Sequence, residues 1–177
     1  WFQGCTLGCR GCWNPEFLPE NRGMVMPIDE IYNSLTVSNK IEGVSILGGE
    51  PFQQCKGLLE LSEKIFKNGL SLCVWSGYTL EVLSSYELSQ KVLSYIDILI
   101  DGKFQIELSA PLLWRGSKNQ KVHFLKSTYS NYKEYINLYN RDTEIIVNDK
   151  EVIITGDPPI KLISNIRNNL ELINEEC

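Results

Sequence analysis

The chain has 177 residues, 43% of them hydrophobic and 22% charged, and carries a net charge of −5. That is enough for one folded domain with a real core. Its 17 basic residues are scattered, which speaks against a nucleic-acid-binding surface, and no apolar run reaches the roughly 20 residues that span a bilayer.

The chain opens on Trp1 rather than on methionine, so an upstream segment is expected to be missing, with an earlier strand running into Trp1 and Phe2. Residues 29–37 read as a helix with Asp29 as its N-cap. Residues 43–50 read as a short buried strand ending in a glycine turn. A helix is expected over 53–68, with Cys55, Leu58, Leu59, Leu61, Ile65 and Phe66 on one apolar side and Gly69 as its stop. Residues 70–75 form the next strand. Thr79 then caps a broken helical stretch that reaches about Tyr95. Residues 96–100 are a third strand, ending at Asp101 and Gly102. Beyond Leu125 the pattern changes to a hairpin over 144–155, around Asn148, Asp149 and Lys150. A final helix carries Ile163, Ile166, Leu170 and Ile173, and starts at Asp157 and Pro158.

Strands alternating with helices predict crossover connections and a parallel sheet. Ligands in such folds gather at the C-terminal strand ends. Segments 4–14, 48–52, 76–79 and 101–104 are expected to share that edge.

Six cysteines occur, three of them within Cys5-Thr6-Leu7-Gly8-Cys9-Arg10-Gly11-Cys12. Such crowding points to a metal site in a reducing compartment rather than to disulfides. Thiolates are the ligands that iron–sulfur clusters require, and three can hold three corners of a cubane. Gly4, Gly8 and Gly11 give the loop the dihedral freedom this needs. A structural zinc site would want a fourth ligand, from Cys55, Cys73, Cys177 or His123. In the second constellation, Gly48-Gly49-Glu50-Pro51-Phe52, two glycines permit close backbone approach and Glu50 offers a carboxylate to a cationic group. A solvated loop acid is the plain alternative.

The cysteine spacing resembles the signature of the radical SAM superfamily. The resemblance implies a [4Fe–4S] cluster on Cys5, Cys9 and Cys12, with S-adenosyl-L-methionine at the fourth iron. It implies reductive cleavage of that cofactor to methionine and a 5′-deoxyadenosyl radical, which abstracts a hydrogen atom. Residues 48–51 resemble the superfamily's GGEP motif, which contacts the methionine amino group. Further segments resemble the activating enzymes of anaerobic ribonucleotide reductase: Cys12-Trp13-Asn14-Pro15-Glu16, Trp75-Ser76-Gly77-Tyr78-Thr79, residues 98–104, and Arg115-Gly116-Ser117-Lys118-Asn119-Gln120. These run in order from Trp1 to about Leu125. Gly11 replaces the aromatic residue that often precedes the third cysteine, and Ala110 stands where this branch commonly has an acid.

Carried over by position, Gly11, Cys12 and Trp13 would line the cofactor at the cluster loop. Gly48, Gly49 and Glu50 would hold its methionine end. Ser76 and Asp101 would contact cofactor or substrate, with a helix-cap hydroxyl and a turn carboxylate as their plain alternatives. Arg115, Ser117, Asn119 and Gln120 would contact a partner or brace a loop. No catalytic side chain is expected beyond the cluster. Cys55 and Cys73 are expected to be buried and inert, His123 structural, and Trp1, Trp13, Trp75 and Trp114 core or pocket walls.

The implied fold is a small, incomplete (β/α) radical SAM barrel of parallel strands, open along one side. It would form a single domain over 1–177, with 126–177 as its C-terminal extension. The implied partners are a glycyl radical enzyme and an electron donor such as a flavodoxin, in the cytoplasm. Two other readings stay open: a radical SAM enzyme acting on a peptide, nucleotide or other small molecule, and a non-catalytic metal-binding module.

Overall fold

The computed structural model describes residues 1–35, 40–137, 143–148 and 151–156, together with 162, 165 and 166. The chain divides into two compact units, Trp1–Leu138 and Tyr139–Cys177.

The first unit holds α1 (Ile28–Leu35), β1 (Gly43–Ile46), α2 (Cys55–Lys67), β2 (Ser71–Trp75), α3 (Leu80–Leu83), α4 (Glu87–Leu93), β3 (Ile98–Asp101), β4 (Ser109–Leu112), β5 (Arg115–Ser117) and β6 (Lys121–Phe124). Its main sheet has the order β1-β2-β3-β6. The first three strands are parallel, with Val44 opposite Leu72 and Val74 opposite Leu99. The chain is thus a mixed α/β protein with parallel strands and several helices.

β3 is buried at every position, as befits a strand flanked on both sides. From α2, Leu58, Leu61 and Ile65 pack with Val44, Ile46, Leu72, Val74 and Leu99 in one core. Each such aliphatic side chain contributes about 1.5–3 kcal/mol when fully buried. Gly69 closes α2 at φ 73°, the left-handed turn expected of a terminal glycine.

Three features depart from the sequence reading. β6 runs antiparallel to β3. The chain reaches it through the antiparallel β4–β5 hairpin and not through a crossover helix, which a parallel return needs. α1 starts one residue early, so Asp29 lies in its first turn and is not its cap. Pro27 sets that start, its carbonyl accepting from the Glu30 and Ile31 N–H groups, and the Asp29 carboxylate contacts Lys64 instead. Trp1 and Trp13 are 65% and 50% exposed, so neither is a core residue. Trp1 stacks on Phe17 and Trp13 lies against Phe104.

The second unit's described part is an antiparallel hairpin of β7 (Thr143–Val147) and β8 (Val152–Gly156), with Val147 opposite Val152. This matches the hairpin read over 144–155. Asp157, Pro158 and most of the final helix, with Cys177, lie outside the described residues. Among the described residues no helix is long and apolar enough to cross a membrane.

Candidate functional site

The cysteine segment docks on the C-terminal end of β1. Phe2 forms a parallel bridge with Gly48. The Phe2 N–H donates to Leu47 O (2.7 Å), Gly49 N–H to Phe2 O (2.7 Å) and Glu50 N–H to Gly4 O (2.9 Å). These bonds set the loop start beside the Gly-Gly-Glu turn. The loop then leaves through Gly4, Gly8 and Gly11, with φ values of 101°, 65° and 70°. An L side chain is disfavoured in all three conformations, which explains the glycine count of this segment.

The two turn glycines serve this docking. A Cβ on Gly48 would lie 2.3 Å from Phe2 O, and one on Gly49 would lie 2.2 Å from Gly4 O. The close approach is therefore between two stretches of this chain's own backbone. Gly49→Ala is expected to destabilise the protein by roughly 1–3 kcal/mol through overpacking, read as a lower urea midpoint.

Glu50 is not a solvated acid: it is 1% exposed. Its Oε1 accepts from the Phe52 N–H (3.0 Å) and from the Ser76 hydroxyl (2.9 Å), and its Oε2 accepts from the Gly77 N–H (2.7 Å). The carboxylate thereby ties the end of β1 to the end of β2. Three of its roughly four acceptor positions are used. Burial pushes its pKa up against these three hydrogen bonds, which oppose the shift.

Ser76 is buried and its hydroxyl is spent on Glu50 and on the Tyr78 N–H (3.1 Å). It caps no helix; Thr79 caps α3 through Val82. Asp101 is 2% exposed, and its Oδ2 accepts from the Leu80 N–H at 2.6 Å. His123 Nε2 lies 3.0 Å from the same oxygen. It is out of hydrogen-bond alignment there and finds no other partner among the described residues. Asp101 also lines a cavity of about 370 Å³, with Gly77, Tyr78, Lys103, Asn119 and Lys121. That cavity opens at the ends of β2 and β3.

The four loop segments read as one edge do meet. Leu7 packs onto Gly77, where a Cβ would sit 2.4 Å from Leu7 Cδ1. Lys103 Nζ donates to Leu7 O at 3.1 Å. Gly11 faces Ile106, and Arg10 pairs with Glu107 across 3.4 Å at the surface. The segment after β3 is itself braced by the Arg-Gly-Ser stretch. Gln120 accepts from the Gly116 and Ser117 N–H groups and donates to Gly102 O. Asn119 donates to Lys103 O, and Ser117 Oγ accepts from the Gln105 N–H. Arg115 is buried and donates to Ile136 O and Asn137 Oδ1. All four side chains are engaged within the unit.

Two residues escaped the sequence reading. Gln53 accepts from the Thr6 N–H (3.1 Å) and donates to Thr6 Oγ1 (2.8 Å) and to the Tyr78 hydroxyl (3.1 Å). Lys103, as above, reaches Leu7. Both stand next to motif residues, Gln53 three after Glu50 and Lys103 two after Asp101, and that adjacency was the available signal.

The donor set fits an iron–sulfur cluster. Cys5, Cys9 and Cys12 are free thiols, each partly buried. They stand close enough that the charges of Glu50, Cys9 and Cys12 add to the upward shift that burial gives Cys5, while a backbone hydrogen bond at Leu7 opposes it. Among the described residues no three His, Cys, Asp or Glu side chains converge on one ion. Cys73 sits in β2, with its thiol pushed up to about 12 by burial and by the charge of Asp97. Cys55 contacts Ser89.

Residues 1–123 match the 4Fe–4S single cluster domain family. The chain is also 36% identical over 133 residues to the anaerobic ribonucleoside-triphosphate reductase-activating protein of Escherichia coli (strain K12), covering 70% of this chain and 85% of that protein. It is 35% identical over 132 residues to the protein of that name from Pasteurella multocida (strain Pm70), covering 68% and 82%. A phage T4 protein of the same name is 28% identical over 126 residues, covering 67% and 78%. The chain belongs to this 4Fe–4S family of activating proteins. The family match ends at His123, inside β6, so it takes in β1 to β5, most of β6 and the segments that carry the cysteine loop, Glu50, Ser76, Asp101 and residues 115–120.

Proposed function

We propose that the chain is a radical SAM activase that generates a glycyl radical on a partner enzyme, an anaerobic ribonucleotide reductase. The observation that carries this reading is the docking of a three-thiol glycine loop against the buried, pre-bonded Glu50 turn. In this reading Cys5, Cys9 and Cys12 hold a [4Fe–4S] cluster. Gly11 and Trp13 flank the bound cofactor, and Gly48, Gly49 and Glu50 hold its methionine end. When bound, the cluster supplies the electron that cleaves S-adenosyl-L-methionine reductively, the step from which hydrogen abstraction follows.

The chain's own residues do the positioning. The remaining acceptor position on Glu50 suits an ammonium group, and burial strengthens that charge-assisted bond. Ser76 and the Gly77 N–H hold the Glu50 carboxylate so that it need not reorganise on binding. Asp101, buried and bonded to the Leu80 N–H, lines the cavity at the ends of β2 and β3. The parallel strands form part of an incomplete (β/α) barrel whose open side admits a protein loop. An external one-electron donor such as a flavodoxin, in the reducing cytoplasm, belongs to the same reading.

The test is electron paramagnetic resonance after anaerobic incubation of the reconstituted protein with S-adenosyl-L-methionine, a reductant and the reductase subunit from the same organism. A glycine-centred radical signal on the reductase is expected. Cofactor cleavage without any radical on the reductase would move the target to a peptide, nucleotide or other small molecule.

A further inference from the structure

We propose that Gln53 is a positioning residue for the cysteine loop, holding Thr6, next to Cys5, in the orientation from which the three thiols take up their cluster. The inference rests on the cluster reading above. Gln53 is exposed, and an exposed glutamine ordinarily spends its amide on water. Here both ends of the amide are engaged. Oε1 takes the Thr6 N–H at 3.1 Å, and Nε2 gives to Thr6 Oγ1 at 2.8 Å and to the Tyr78 hydroxyl at 3.1 Å. Two bonds to one residue fix its rotation as well as its position, as a single bond does not.

Gln53 is held in turn. Its own N–H donates to Glu50 O at 3.1 Å. The short turn that carries it is capped by the Glu50 side chain through Phe52. The side chain therefore refers the residue after the first cysteine to Tyr78, beyond the end of β2, while the Gln53 backbone N–H ties the same residue to the Glu50 carbonyl at the turn after β1. The clamp also decides where the Thr6 N–H points. Backbone N–H groups near cluster sulfurs tune the potential of an iron–sulfur centre. With Gln53 in place this donor, one residue from a ligand, is committed to the amide. Without it, the donor is free to turn.

The experiment compares the full chain with Gln53→Leu, Thr6→Val, Thr6→Ser and the Gln53→Leu/Thr6→Val pair, each reconstituted anaerobically. The readings are the paramagnetic resonance spectrum of the reduced cluster, its midpoint potential and the rate of iron loss to a chelator. Gln53→Leu is expected to alter the spectrum and the potential, and to lose iron roughly 10- to 100-fold faster, as outer-shell partners of metal ligands commonly do. Thr6→Val should shift the same readings less, because it keeps the N–H. Thr6→Ser should match the parent, and the double variant should match Gln53→Leu alone, since the two changes act through one contact.

A Gln53→Leu protein with the parent's spectrum, potential and iron retention would overturn the proposal. So would loss of its far-UV circular dichroism, which would assign Gln53 to the fold rather than to the loop. If the parent itself assembles no cluster, the underlying reading fails too. If the parent assembles one and Gln53→Leu behaves identically, only the role of Gln53 falls.

Discussion

Replacing Cys9 by alanine is expected to abolish assembly of the cluster. Cys9 is the middle thiol of the loop, between Gly8 at φ 65° and the turn through Gly11 at φ 70°. Without it two thiols of the loop remain, and among the described residues the other two cysteines, Cys55 and Cys73, are committed elsewhere. Cys55 lies at the start of α2 against Ser89. The Cys73 thiol sits within β2, with its pKa pushed up to about 12 by burial and the Asp97 charge. Anaerobic reconstitution of Cys9→Ala should give iron far below the about four per chain of a full cubane, with no broad visible absorption. The fold should survive, because Cys9 is only partly buried and the core lies beneath α2. A variant that keeps the full iron and sulfide complement would remove Cys9 from the ligand set.

The second large effect is expected at Glu50. Glu50→Ala leaves the Phe52 and Gly77 N–H groups and the Ser76 hydroxyl without their acceptor. A buried donor left unpaired costs about 1–3 kcal/mol, and the hydroxyl can rotate to another partner, so the two N–H groups together imply a loss of about 2–6 kcal/mol. Cofactor cleavage should fall as well, because the turn that carries Gln53 loses its cap. Glu50→Gln separates the two roles. It keeps the shape but sets an NH2 group against one of the donors.

The pH dependence gives a further check on Glu50. Its pKa is raised in the folded chain, chiefly by burial. Between its unfolded value, about 4.3, and the higher folded value, the native state binds the more protons. The stability that Glu50 contributes is thus fully present below the unfolded value and is lost as pH rises through the folded one. Urea midpoints of the cluster-free protein across that window should show this fall, and Glu50→Gln should flatten it. An unchanged profile in Glu50→Gln would mean that another group carries the dependence.

Much of this site could be read from residue types alone. β1, β2 and β3 are short, largely apolar runs bounded by glycine turns at Gly48, Gly69, Gly77 and Gly102. α2 announces itself by its apolar spacing and by Gly69. From three parallel strands the edge shared by the loops follows, and the contacts of Leu7 with Gly77 and Lys103 bear that out. The direction of β6 was not legible, because periodicity reports which side chains face inward and not which way a strand runs. The β4–β5 hairpin was hidden for a local reason. Its turn residue is Trp114, at φ 61°, a conformation for which sequence reading expects glycine or asparagine. The Trp75 indole N–H bonds Trp114 O at 2.7 Å and helps hold it there.

At the site, the residue types showed which atoms matter but not how they are spent. Gly48 and Gly49 do permit close approach, yet what approaches is Phe2 and Gly4 of the same chain. Ser76 serves Glu50. The Arg-Gly-Ser stretch braces residues 102–105 through Gln120, Asn119 and Ser117. Long-range pairings of this kind leave no local periodicity, and the clamp of Gln53 on Thr6 spans 47 positions in sequence. They are visible only once the fold brings the segments together.

The most direct measurement is anaerobic. The protein is reconstituted with iron and sulfide, reduced, given S-adenosyl-L-methionine and assayed for 5′-deoxyadenosine, with and without the reductase subunit. The account predicts a [4Fe–4S] complement and 5′-deoxyadenosine that both disappear in Cys9→Ala. A protein that assembles no cluster, or one that assembles it and forms no 5′-deoxyadenosine even with the reductase present, would contradict it.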